Sequence, residues 1–378
     1  MKIALICTEK LTFPPINGGA VQVYLEGALP TLSKYHELTV FCIQDPKLPN
    51  RSSIDGVTYI RLPASTTEEY VRGLKPLLTN AFDLVHVFNR PRWVPFLSKD
   101  LTCAFSLSLH NEMFPLKKIE PAMANACIDR VSFITTVSDF IASGVKELYP
   151  YAASKLHPVY SAVDCNIYKP IWENSKDSYR NILRSKYGLQ NHKTVLYVGR
   201  LTPKKGTHIV LDAMSSVMES HPNTALMIIG SKWYGGNEST EYIQLLKKIS
   251  KELKGPVIFT GFLSPNEIPK YYSIGDIFVN MSQWREPLAR VHYEAMAAGL
   301  PIITTNRGGN AEVMQEGVNG FVMEDYSNPR VLEKNIVKLL DNTDLAHRLG
   351  VNGRKIAEEK YNFNRLANDL LKLFDSIK

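Results

Sequence analysis

The stretch IFVNMSQWREPLARVHYEAMAAGLPIITT, residues 277–305, reads as a strand, a turn, a helix and a second strand. Residues 277–280 and 301–304 are short apolar runs, and Pro287 suits the first turn of the helix between them. Near-continuous apolar strands joined by helical crossovers form a parallel sheet covered on both faces. The same alternation runs outward. Strands are predicted at 194–198, 225–229 and 257–260, and before them at 3–7, 38–43, 57–62, 84–88, 104–109 and 133–137. Helical periodicity fills 20–32, 68–78 and 139–148, and 363–377 carries the apolar face Leu366, Leu370, Leu371, Leu373 and Phe374. The rhythm breaks over 168–193, so a linker is expected near 164–174. We expect two doubly wound α/β domains, 1–168 and 169–360, with 361–378 packing back on the first. Such sheets bind ligands at their strand C-termini, which places a cleft between the two domains.

Composition sets the outer limits. A chain of 378 residues, 44% hydrophobic and 21% charged, is neither disordered nor collagen-like. Forty-four basic against 37 acidic residues leave a net charge of +7, which favours anionic ligands without requiring nucleic acid. The five cysteines are odd in number and lack CxxC spacing, so buried thiols are expected in place of disulfides or zinc. The apolar run 3–7 is too short for a signal segment, and no stretch approaches the ~18 apolar residues of a membrane span. A cytoplasmic protein, at most peripheral to a surface, is the expectation.

Three segments carry chemistry. Gly18 and Gly19 follow the first strand and open a helix, where glycine admits close backbone approach and unpaired N–H groups meet anions. In VGRLTPKKG, residues 198–206, Arg200 and Lys205 stand beside a helix start, a good position for a diphosphate. Neither segment is a GxGxxG or a Walker A loop. Glu286 and Glu294, eight residues apart, would lie about 12 Å apart along one helix. That is too far for acid and base on one atom, and it suits two carboxylates gripping the ends of an extended ligand such as a sugar nucleotide.

Residues 286–301 resemble the signature EPFGLVxLEAMAxGxP of the retaining GT-B glycosyltransferases of family 4. The family's GRLxxxKG element is matched by 199–206, and its GGxxE element by Gly308, Gly309 and Glu312. Its early Gly-Gly is matched by Gly18 and Gly19, and its interdomain element by 159–170. The likeness therefore spans essentially the whole chain. Within the family, SQWREPLARVHYEAMAAGLPIITTNRGGN and His110–Phe114 look like the branch of spore-coat glycosyltransferases of bacilli.

The resemblance implies a GT-B fold, with two facing Rossmann-like domains around a cleft. It implies that Arg200 and Lys205 neutralise the donor diphosphate, that Glu286 touches the transferred sugar, and that Glu294 holds the ribose. Gly18 and Gly19 would lie near the diphosphate and acceptor, and His110 near the donor sugar, unless it is a structural histidine at a strand end. Pro287, Leu288, Ala289 and Arg290 complete the expected donor site. Leu288 and Ala289 replace the family's Phe and Gly. Arg290 stands where an apolar residue is usual, to add a phosphate contact or to alter donor choice.

The interdomain element also departs from the pattern, with Ser161-Ala162 for Asn-Gly. Trp233, in the GSKWYGG loop, would stack on a ligand or pack within its loop. No DxD triplet occurs, so no metal cofactor is expected. The expected reaction is retaining transfer from a nucleotide sugar, UDP-linked, to a glycan, lipid-linked or protein-surface acceptor. Arg90, Arg92, Trp93, Lys117 and Lys118 would serve either an anionic acceptor or a solvated face. Peripheral membrane or spore-coat association is compatible with this reading, and a catalytically silent coat protein is the alternative.

Overall fold

The computed structural model describes residues 1–173, 178–232 and 239–377, which fall into two compact units. The first comprises Met1–Ala162 with Phe363–Lys378, and the second Val163–Asn362.

The first unit is built on eight strands: β1 (Lys2–Ile6), β2 (Glu37–Ile43), β3 (Arg51–Ile54), β4 (Val57–Leu62), β5 (Leu84–Phe88), β6 (Ala104–Leu109), β7 (Ile134–Thr136) and β8 (Leu156–Pro158). Their order is β3-β4-β2-β1-β5-β6-β7-β8. Ile3, Ala4, Leu5 and Ile6 are all buried, because both faces of β1 are covered by helices. The sheet departs from the all-parallel expectation at one edge, where β3 pairs antiparallel with β4. Asp55 and Gly56, both at positive φ, make the tight turn between them. The sequence Arg-Ser-Ser-Ile of β3 is largely exposed and has no apolar run to announce a strand. The helix predicted to reach residue 78 ends at Leu74, and Lys75–Leu77 continues as a single 3₁₀ turn containing Pro76.

Helix Phe363–Asp375 completes this unit by packing against helix Ala20–Leu32. Leu366, Ala367, Leu370 and Phe374 are its buried side, and the Phe374 ring meets His86 at 5.5 Å and Phe133 at 6.2 Å. Gly27 permits the approach, since a Cβ there would stand 2.1 Å from the Phe363 ring.

The second unit has six parallel strands: β9 (Lys193–Val198), β10 (Thr224–Ile229), β11 (Val257–Gly261), β12 (Ile277–Asn280), β13 (Ile302–Thr305) and β14 (Gly320–Met323). They are ordered β11-β10-β9-β12-β13-β14. The order reverses at β9, flanked by β10 and β12, and such a switch point opens a crevice at the strand C-termini. Residues 164–173 are held on this unit: Ile171 N donates to Ala298 O, Arg354 donates to Tyr168 O, and Trp172 covers Gly299.

All five cysteines are free thiols, and burial pushes Cys127 up to about 12. Among the described residues no helix is long and apolar enough to cross a membrane.

Candidate donor-binding site

Three loops leave the C-terminal ends of β9, β12 and β13, and glycines let them touch. Gly206, at φ 70°, has no room for a side chain, since a Cβ would stand 2.0 Å from Met281 O. Gly308, at φ 67°, is closed off in the same way by Glu286 O, also at 2.0 Å. The Glu286 backbone pairs with Gly308 in a single parallel bridge, and its carbonyl accepts Gly309 N at 2.8 Å. Asn310 Oδ1 accepts Ala289 N at 3.1 Å.

These contacts correct the sequence reading of this segment. The helix does not open at Pro287 but spans Val291–Ala297, because the backbone of 286–289 is tied to the 308–310 loop instead of to itself. Glu286 and Glu294 therefore do not lie along one helix. Ala289 is not among the described non-glycine residues with positive φ, so the alanine sits there without backbone strain.

Glu286 is buried, and three donors converge on a single oxygen of its carboxylate. Lys205 Nζ lies 2.6 Å from Oε2, Trp284 Nε1 2.7 Å and Ser282 Oγ 2.9 Å. Oε1 accepts no hydrogen bond from the described residues. Burial pushes the carboxyl up, but the Lys205 ammonium and the three donated bonds outweigh it and hold Glu286 below the usual carboxylate range. It is an anion with one oxygen held by three donors.

Glu294 stands in a different setting. Tyr272 OH donates to its Oε2 at 2.8 Å, and Arg290 Nε lies 3.9 Å from Oε1. Burial dominates here and raises the carboxyl, against the pull of Arg290 and the Tyr272 bond. Arg200 is half-buried at the start of the β9 loop, where its carbonyl accepts Tyr197 OH at 3.3 Å. Pro287, Leu288 and Ala289 are buried beneath the loop.

Sequence reasoning missed several supports. His292 is fully buried, pairs with Ala289 O at 2.9 Å and Thr304 Oγ1 at 2.8 Å, and is pushed down to about 4, chiefly by burial. It is thus a neutral ring joining the 286–290 loop to β13. Gln283 joins three loops, as its N donates to Lys204 O and its side chain to Met281 O and Tyr326 O. The roles of Ser282 and Trp284 had no signal beyond proximity to Glu286.

In the first unit, Gly18 and Gly19 take φ 82° and 117° at the end of the β1 loop, and Gly19 caps helix Ala20–Leu32. His110 follows β6 directly and is buried. Its Nε2 pairs with Ser108 Oγ at 3.1 Å, and its ring stands edge-on to Tyr24 at 4.9 Å. Tyr24 lies on the helix that Gly19 caps, so these residues share one end of the sheet.

Arg90 does not offer a free charge to an acceptor. It forks onto Glu9 at 2.9 and 2.8 Å and covers Trp93, which is buried in the core. Lys118 donates to Glu112 O at 2.6 Å, while Arg92 and Lys117 are exposed. Trp233 lies outside the described residues. Among the described residues, no group of three or more His, Cys, Asp or Glu could hold a metal ion.

Residues 180–356 match the family model for glycosyl transferases group 1. The chain is 48% identical to spore coat protein SA of Bacillus subtilis, over 99% of each chain. It is 42% identical to the putative glycosyltransferase YtcC of the same organism, over 100% of this chain and 92% of that one. In three dimensions it resembles Anabaena HepE, crystallised in complex with UDP-glucose, with a TM-score of 0.79, 19% identity and full coverage of both chains.

Proposed function

Because the chain belongs to the group 1 glycosyltransferases of GT-B fold, we propose that it transfers a hexose or N-acetylhexosamine from a UDP-linked donor with retention at the anomeric carbon. The acceptor is a glycan, a lipid-linked glycan or a protein surface. The carrying observation is the Lys205–Glu286 pair, an anion and a cation 2.6 Å apart where three loops converge, two of them through glycines. The UDP-glucose held by HepE, a protein of the same fold, supports the choice of donor class.

In this reading Arg200 and Lys205 meet the donor diphosphate and stabilise the charge that grows on it as the glycosidic bond breaks. That charge replaces a metal, so the reaction is metal-independent. Glu286 receives a hydroxyl of the transferred sugar on Oε1, and Glu294 receives the ribose. Gly18 and Gly19 admit the diphosphate and acceptor closely, and His110 stands by the sugar. Pro287, Leu288, Ala289 and Arg290 line the donor. The acceptor oxygen bonds to the anomeric carbon on the face that the diphosphate leaves. The carbon–phosphate oxygen bond breaks, and the departing oxygen takes the acceptor's proton. The enzyme supplies orientation and charge.

Mass spectrometry of products from a panel of nucleotide sugars and acceptors, with and without chelator, tests the proposal. Sugar transfer at full rate by Glu286→Ala would sink it.

The name of the 48%-identical relative, a spore coat protein, favours a second reading: a coat component that keeps the fold without turnover. Such a scaffold would neither gain thermal stability from nucleotide sugars nor hydrolyse them.

A further inference from the structure

Lys205 has two claims on it. It is bound to Glu286 Oε2 at 2.6 Å, yet the proposed reaction turns its ammonium toward the donor diphosphate. A buried carboxylate that loses its cation becomes costly to keep charged, and it shifts toward the protonated form unless other donors hold it. The β12 loop provides two such donors on the same oxygen, Ser282 Oγ at 2.9 Å and Trp284 Nε1 at 2.7 Å. A hydroxyl can rotate away. The indole N–H is a donor only, fixed in the plane of a large ring, and the Lys204 ammonium lies 5.6 Å from the centre of that ring.

We propose that Trp284 is a positioning residue that keeps Glu286 ionised, with Oε1 turned to the ligand, while Lys205 is drawn to the diphosphate. This rests on the reading of Glu286 as the sugar-facing carboxylate. Trp284 lies two residues before Glu286, outside the signature that begins at Glu286. The family's signature also offers nothing at this position. The carboxylate's asymmetry follows: Oε2 gives up Lys205 but keeps the Trp284 donor throughout the reaction, and Oε1 alone takes up the ligand.

The test is the pH profile of nucleotide-sugar turnover by the full chain. Trp284→Phe keeps an aromatic ring and removes the N–H. Trp284→Gln restores a donor nitrogen the same number of bonds from Cα. The expected result is an acid limb moved up by about half to one pH unit in Trp284→Phe and returned toward wild type in Trp284→Gln. A purely structural tryptophan would lower the rate without moving the limb. An unmoved limb in Trp284→Phe, or equal shifts in both variants, overturns the inference alone. Wild-type protein that turns over no nucleotide sugar at any pH overturns the functional reading and this inference with it.

A second measurement needs no substitution at the site. In otherwise wild-type protein, the indole N–H resonance of Trp284 is assigned by replacing the other three tryptophans singly. Its protection from solvent exchange should persist when UDP-glucose is added. Protection lost on addition overturns the proposal.

Discussion

Glu286 and Glu294 are the same residue type in one short stretch, and the protein treats them in opposite ways. Glu286 stands in an extended turn with a cation at 2.6 Å and three donors on one oxygen, and its carboxyl is lowered. Glu294 stands on a helix with one tyrosine donor and a guanidinium at 3.9 Å, and its carboxyl is raised. Both are removed from water, so burial alone does not decide the charge. The number and closeness of donors does. Sequence spacing makes the two look like a matched pair, whereas one carboxyl is lowered by its donors and the other is raised by burial.

The sharpest way to break that contrast is Glu286→Ala. Transfer should fall by at least about a thousandfold, and stability by about 3–5 kcal/mol as Lys205 is left buried without its partner. Steady-state turnover and denaturant unfolding read the two effects separately. Next is Gly308→Ala, whose Cβ would collide with Glu286 O at 2.0 Å. A loss of roughly 2–3 kcal/mol in denaturant unfolding is expected, because the obstacle is backbone that cannot swing aside. Glu294→Gln keeps an acceptor for Tyr272 and removes the carboxylate charge. Nucleotide-sugar affinity should drop about tenfold by calorimetry with little change in melting. Ser282→Ala removes one neutral donor of three and should cost about 1 kcal/mol of stability.

Acid titration sharpens the comparison from another side. The lowered carboxyl of Glu286 stabilises the fold above the ordinary carboxylate range, and that contribution is lost as pH falls through its folded value. Glu294 is raised, so the folded state binds its proton more tightly and stability falls as pH rises from its ordinary to its raised value. In chemical unfolding across this range, Glu286→Gln should flatten the loss on the acid side. Glu294→Gln should flatten the opposing trend. The same slope in both variants would show that the two carboxyls are not distinguished as described.

Much of this was legible from the residues. The parallel strands announce themselves because both their faces are buried and their side chains read as unbroken apolar runs. The exposed strand β3 has no such run and went unseen. Glu286, Lys205 and Glu294 stand out by type and setting, and the structure brings the first two into contact. The start of the helix after Glu286 was misread, because a proline that suits a helix also suits an extended turn. What fixes that turn is a loop twenty residues later, where Gly308 and Asn310 bind its backbone. Local sequence carries no mark of such a tie. Trp93 reads as a surface aromatic beside arginines, yet it is core beneath Arg90.

The first compact unit runs from Met1 to Ala162 and resumes at Phe363. On a ribosome, that unit's core stays unfinished while the whole second unit is made. Its partners for Leu366, Leu370 and Phe374 wait exposed for about 10–40 s at ordinary synthesis rates. The second unit, continuous from Val163 to Asn362, has no such delay. The chain is thus made in one direction, but its first unit is closed by its last helix.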